Sequence, residues 1–194
     1  MRYDGLTRDP KQLYIGVREL NWAGTTWAGV NYGDDSRCID YLLSRKEVDG
    51  TRIGCTGLSG GGWRADMMAA LEPRLKAVVS VGWMTTGDAQ QAYNLVGAIG
   101  TFCLLPGVWN RLDVPDLISM GAPKASMVVS ATQDPLFPPL GQREAARQIA
   151  EAFTWAGHAD RFRSYTPAKP HCYDQEIQAE ALAWFDQHLK RTKK

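Results

Sequence analysis

Ser59 sits in Gly57-Leu58-Ser59-Gly60-Gly61, a stretch that fits G-x-S-x-G. The residues before it, Arg52-Ile-Gly-Cys-Thr-Gly-Leu58, read as a short buried strand. Residues 60–71 carry Met67, Met68 and Leu71 at helical spacing. A sharp turn from strand to helix projects the serine hydroxyl out of the sheet edge. It also sets the hydroxyl beside the free N–H groups of a helix N-terminus, where developing negative charge is favoured. The flanking glycines read as a steric need of so tight a turn. Two phosphate-binding readings fail on the same residues. A P-loop needs Lys where Trp63 stands, and the dinucleotide fingerprint needs a glycine where Ser59 stands. The bland alternative is a glycine-rich turn in which Ser59 only caps a helix.

A serine nucleophile needs a base, and the chain has three histidines. His188 lies on the last helix beside Leu189 and reads as structural. His158, in Gly157-His-Ala-Asp160, leads into a strand. His171 follows Ala168-Lys-Pro170 after the last strand. In a parallel sheet, loops that follow strands share the side of the turn carrying Ser59, so His171 is the expected base. Asp134, in Thr132-Gln-Asp-Pro135, directly follows a strand and is the expected orienting carboxylate. Asp113 and Asp116 read as turn formers. The bland readings are an exposed loop histidine and a turn aspartate before proline. The chemistry expected of Ser59, His171 and Asp134 is two-step acyl transfer, with the Gly60 N–H as one oxyanion donor. It requires no metal and no organic cofactor. Trp63, Trp83, Met84, Trp109 and Phe137 are candidates for a pocket that takes a neutral ester of modest size, and each can equally be core. A thiol route through Cys172, beside His171, lacks a turn that would present the sulfur.

These groups need elements to place them. Leu75–Val81 and Ala125–Ala131 are apolar runs of strand length, and Asp160–Tyr165 reads as a further strand. Gln142–Ala156 is an expected helix with Ala145, Ile149 and Phe153 on one face, ended by Gly157. Ile177, Ala181, Trp184, Phe185 and Leu189 mark a closing amphipathic helix. Asp34 and Asp35 read as a helix start before Cys38, Ile39, Leu42 and Leu43. Residues 1–33 read as loop with one short helix or strand around Leu13–Val17. Residues 84–122, with the apolar cluster Phe102, Leu104, Leu105, Val108 and Trp109, read as an insertion or cap. Such alternation predicts an α/β fold, a mostly parallel sheet with helices on both faces, in one domain over 1–194.

The order Ser59, Asp134, His171 is that of α/β-hydrolases. The chain resembles the dienelactone hydrolase-like and acetyl xylan esterase-like branch of that superfamily. The resemblance rests on Tyr41-Leu-Leu-Ser-Arg-Lys-Glu-Val-Asp-Gly50 leading into Arg52-Ile-Gly54, and on Gly57-Leu-Ser-Gly-Gly-Gly62. Val81-Gly-Trp-Met-Thr-Thr86, Gln133-Asp-Pro-Leu-Phe-Pro138 and His171 with Trp184-Phe185 continue it over about residues 34–190. It implies an esterase, with acetylated carbohydrates as one substrate class. A prolyl-oligopeptidase-like peptidase and a non-catalytic binding module on the same fold are the alternatives. Family members carry further strands before this point and an early His-Gly loop that supplies an oxyanion N–H. No histidine precedes His158, so the fold is expected to be N-terminally abbreviated. The open edge beside the Arg52–Leu58 strand is then expected to be covered by self-association.

Composition bounds the rest. Apolar residues make up 44% of the 194 and charged residues 22%, which excludes a disordered chain. Lys and Arg number 22 against 21 Asp and Glu, so no footprint for nucleic acid or an anionic membrane is present. No apolar run reaches 18 residues. The four cysteines fit no zinc spacing and read as free thiols; with no signal peptide at the start, the expected location is cytoplasmic. The expected partner is a small-molecule ester.

Overall fold

The structure is a computed structural model that describes residues 10–94, 103 and 105–190. Four strands form one sheet, β1 (Ile53–Leu58), β2 (Leu75–Val81), β3 (Ala125–Val129) and β4 (Phe162–Tyr165). They lie in the order β1-β2-β3-β4, and every neighbouring pair is parallel. The helices are α1 (Pro10–Trp22), α2 (Trp27–Leu43), α3 (Gly60–Leu71), α4 (Gly87–Asn94), α5 (Val114–Ser119), α6 (Pro139–Trp155) and α7 (Gln175–Leu189). Parallel strands in sequential order with right-handed crossovers place the crossover helices on one face. Side-chain alternation along β2 and β3 shows both faces in use. Val78 and Val128 join a core built with α3, α5 and α6. Ala77, Val79, Val81, Met127 and Val129 join a second core made with Ile177, Ala181 and Trp184 of α7. The expected α/β architecture, a parallel sheet with helices on both faces, is therefore present.

The N-terminal region departs from expectation. Residues 10–22 are helical, and α2 begins at Trp27 rather than near Asp34, which lies inside it. Thr26 is the N-cap; its hydroxyl accepts the Gly29 N–H at 2.9 Å. Gly29 and Gly33 weaken intrinsic helicity by about 1 kcal/mol each relative to Ala, which hides the helix from a propensity reading. Tertiary bonds hold it in place: the Tyr32 hydroxyl donates to Leu71 O at 3.1 Å, and Arg64 and Arg74 pair with Asp35 and Asp40. Further on, α6 starts at Pro139 rather than Gln142, with proline at a helix start where its missing N–H costs nothing. Residues 84–122 contain α4 and α5. Phe102 and Leu104 lie outside the described residues, while Leu105 and Trp109 pack against the larger core.

Candidate active site

β1 ends at Leu58 and α3 begins at Gly60, so Ser59 alone makes the turn. Its backbone has φ 58° and ψ −121°, and it is the one non-glycine residue with positive φ among the described residues. That conformation costs on the order of 1–3 kcal/mol and persists only where its surroundings impose it. Here the Ser59 N–H donates to Val81 O at 2.8 Å, and its C=O accepts from Trp63 N at 3.0 Å. The Ser59 side chain makes no capping bond to α3, so its hydroxyl is not spent on the helix. A Cβ at Gly57 would stand 2.4 Å from Gly61 O, which makes glycine obligatory there. At Gly61 a Cβ would meet nothing within 4 Å. The steric reading of the flanking glycines thus holds for Gly57 and fails for Gly61. The second glycine that packing demands is Gly62, where a Cβ would lie 2.7 Å from Val81 O.

The loops after β3 and β4 carry the other two groups, and backbone bonds join them beyond the sheet's end. Ser130 N donates to Tyr165 O at 3.0 Å, Thr132 N to Pro167 O at 2.9 Å and Gln133 N to Lys169 O at 3.1 Å. This zipper brings Asp134 to His171. The His171 Nδ1–H donates to Asp134 Oδ2 at 2.6 Å, and Asp134 Oδ1 accepts the Leu136 N–H at 2.9 Å. An ionised carboxylate can only accept, so the bond leaves the proton on Nδ1 and the lone pair on Nε2. Asp134 is 5% exposed. The imidazole stands over Gly82, whose φ is 63°. A Cβ there would lie 3.0 Å from His171 Cε1 and 3.2 Å from both Nδ1 and Leu58 Cδ1. His171 is therefore seated against the backbone of the residue after Val81, the same Val81 that receives the Ser59 amide. Phe137 supports the ring at a centroid distance of 6.5 Å and meets Trp83 edge-on at 5.5 Å.

The remaining candidates are placed elsewhere. His158 precedes the short turn Ala159–Arg161, at the end of β4 remote from Ser59. His188 packs on Trp184 at 4.2 Å, and burial holds its pKa below the usual range. Asp113 and Asp116 form a capping box at α5. Cys172 packs with the core under α7 rather than at the turn. Burial pushes the Cys55 thiol up to about 12, so it is not a nucleophile. No group of three or more His, Cys, Asp or Glu able to hold a metal occurs among the described residues.

Of the five pocket candidates, Trp63, Trp83 and Trp109 line a cavity of about 310 Å³; Met84 and Phe137 are buried core and do not. Asp88, Gln91 and Asp113 share that lining, and the sequence reading did not place them there. Only the Gly87-Asp88 helix start could have signalled the first of them. A wider opening of about 550 Å³ lies between Leu71, Leu75 and Pro123, at the opposite end of the strands, away from Ser59. No helix among the described residues is long and apolar enough to cross a membrane.

No family model matches the chain. It is 24% identical over 172 residues to "Putative hydrolase YtaP" of Bacillus subtilis (strain 168), covering 89% of this chain and 58% of that one. Among solved structures, the glucuronoyl esterase from Solibacter usitatus superposes with a TM-score of 0.70 at 19% identity, over 84% of this chain and 49% of that one. The Pyrococcus horikoshii acylaminoacyl peptidase superposes with a TM-score of 0.62 at 16% identity, over 84% and 28%. The chain thus has the α/β-hydrolase fold and spans about half the length of the relatives it matches first.

Proposed function

We propose that the chain is a serine esterase that cleaves carboxylic esters through an acyl-enzyme formed on Ser59. The observation that carries this reading is the 2.6 Å bond from His171 to Asp134, held by the zippered loops with the ring against Gly82 beside the Ser59 turn. His171 Nε2 takes the proton of the Ser59 hydroxyl as Oγ attacks the ester carbonyl. Asp134 fixes the tautomer and stabilises the imidazolium. The Gly60 N–H, at the start of α3, donates to the oxyanion. His171 then returns the proton to the leaving alcohol. A water, activated by the same nitrogen, releases the acid and restores Ser59. Esterases named among the matched structures are in keeping with this reading.

The test is hydrolysis of p-nitrophenyl acetate together with labelling by a fluorophosphonate. Wild type should turn over and label at Ser59. Ser59→Ala should lose label and fall about 10³-fold or more in turnover. Activity that survives Ser59→Ala overturns the proposal. A wild type that neither reacts nor labels overturns it in favour of a non-catalytic module.

A further inference from the structure

We propose that Tyr173 is a positioning residue for the base: its hydroxyl, bonded to Thr56, fixes the segment that carries His171 against the strand that carries Ser59. The inference rests on the esterase reading and deepens it. The two hydroxyl oxygens lie 2.8 Å apart, joining residues 117 positions apart in the chain, and either can donate. Tyr173 stands two residues after His171, and Thr56 three before Ser59. Proton transfer from Ser59 Oγ to His171 Nε2 needs those atoms at hydrogen-bond reach, and an error of about 1 Å costs on the order of 10²-fold in rate.

The base and the nucleophile are otherwise held by separate sets of bonds. The bond from His171 to Asp134 and the three zipper bonds all run between the loops after β3 and β4, and none of them reaches β1. β1 is an edge strand that pairs with β2 alone. Such a strand lacks half of its ladder, so side-chain ties decide how firmly it is held. Among the described residues, the bond between Thr56 and Tyr173 is the one hydrogen bond that joins residues 166–174 to residues 53–59. Packing on either side of it keeps the two hydroxyls together. A Cβ at Gly54 would lie 2.9 Å from Phe185 Cε1, so α7 lies directly on the strand there. Leu58 and Tyr173 both pack against the core under α7, and Leu58 meets the same Gly82 on which the His171 ring rests. The Tyr173 carbonyl accepts from the Gln178 side-chain amide at 2.8 Å, which ties the backbone of Tyr173 to α7. Thr56 thus receives a hydroxyl whose own position is fixed, and through it β1 is set against the base.

The experiment has two readouts on the full chain. On p-nitrophenyl acetate, Tyr173→Phe, which removes only the hydroxyl, should lower kcat about tenfold and leave KM unchanged, because His171 serves acylation and deacylation alike. Thr56→Val should do the same, the double variant should fall no further, and Thr56→Ser should keep most of the rate. The second readout needs no turnover. In Ser59→Cys, alkylation of the introduced thiol by iodoacetamide is followed against pH on the peptide carrying position 59. An imidazole within reach takes up the thiol proton and favours the reactive thiolate, so the midpoint reports how close His171 stands. It should lie below the ordinary thiol value of about 8.5 and move back toward it when Tyr173→Phe is added. Equal midpoints with and without Tyr173→Phe, an unchanged kcat in Tyr173→Phe of an active enzyme, or a double variant whose loss is the product of the single losses overturns the proposal. A midpoint that Tyr173→Phe shifts, in a protein whose wild type is inert on p-nitrophenyl acetate, supports the positioning role and sinks the esterase reading separately.

Discussion

Asp66 lies on α3, two turns beyond Ser59, with no solvent exposure and no hydrogen-bond partner for either carboxylate oxygen. Burial raises its pKa well above the usual carboxylate value, and the neighbouring Ser80 hydroxyl is committed to Gly62 O. The folded protein therefore holds Asp66 protonated while the unfolded chain releases that proton from about pH 4 upward. Stability linked to this group is complete below that pH and declines as pH rises toward the folded value, by up to about 1.4 kcal/mol per pH unit. Asp66→Asn, neutral at every pH, should match wild type in urea denaturation near pH 4 and exceed it increasingly toward pH 8; parallel curves would refute the buried acid. Residue by residue, legibility followed position in the chain. Ser59, Asp134 and His171 could be named as candidates because each follows a strand, where a parallel sheet gathers its loops. Asp66 could not, because nothing in Arg64-Ala-Asp-Met67 says that the face of α3 carrying Asp66 is buried against the sheet. Asp88 could not because its relevance lies in a cavity wall that only the folded chain defines.

At the scale of elements, the buried runs that became β2 and β3 were readable, since a strand covered on both faces admits little but apolar residues. α2 was not readable, because its stability resides in its contact with the far end of α3. Glu72 is the centre of that contact. It is 2% exposed; its oxygens accept the Arg74 N–H at 3.0 Å, the Arg74 guanidinium at 2.6 Å twice, and the Ser36 hydroxyl at 3.1 Å. The Arg74 hydrogen bonds push its pKa down to about 2. A depressed acid gives stability that is complete above the unfolded value and lost as pH falls toward the folded one. Thermal unfolding of wild type should therefore steepen between about pH 4.5 and 2, and Glu72→Gln should flatten that limb. At neutral pH the same variant should lose about 1–3 kcal/mol, the weight of hydrogen bonds to a charged group. If instead α2 amides exchange no faster in Glu72→Gln than in wild type, the cluster is not what fastens α2.

Across the whole molecule, the two faces of the sheet are covered unequally, and the unequal cover reaches the site. α3, α5 and α6 share one core, while among the described helices α7 closes the other through Ile177, Ala181 and Trp184, with Cys172 and Tyr173 packed beside it. α7 also anchors the loop that holds His171. Its N-cap Asp174 accepts the Ile177 N–H at 3.1 Å and the Lys169 ammonium at 2.6 Å, and Lys169 O receives the Gln133 amide of the zipper. Loosening α7 should therefore loosen the base. His188, near the end of α7, supplies the means: its Nε2 is buried without a partner, and burial with the nearby Arg161 lowers its pKa despite Asp160. The folded state resists protonating this imidazole more than the unfolded chain, which takes up the proton near pH 6.5, so α7 loses support as pH falls below that value. The exchange protection of α7, corrected for the intrinsic pH dependence of amide exchange, should fall in wild type as pH drops below about 6.5, and fluorophosphonate labelling of Ser59 should slow with it. His188→Gln carries no charge to gain and should remove the exchange change entirely. Were the protection of α7 in wild type unchanged below about pH 6.5, α7 would not be the element through which acidity reaches the site.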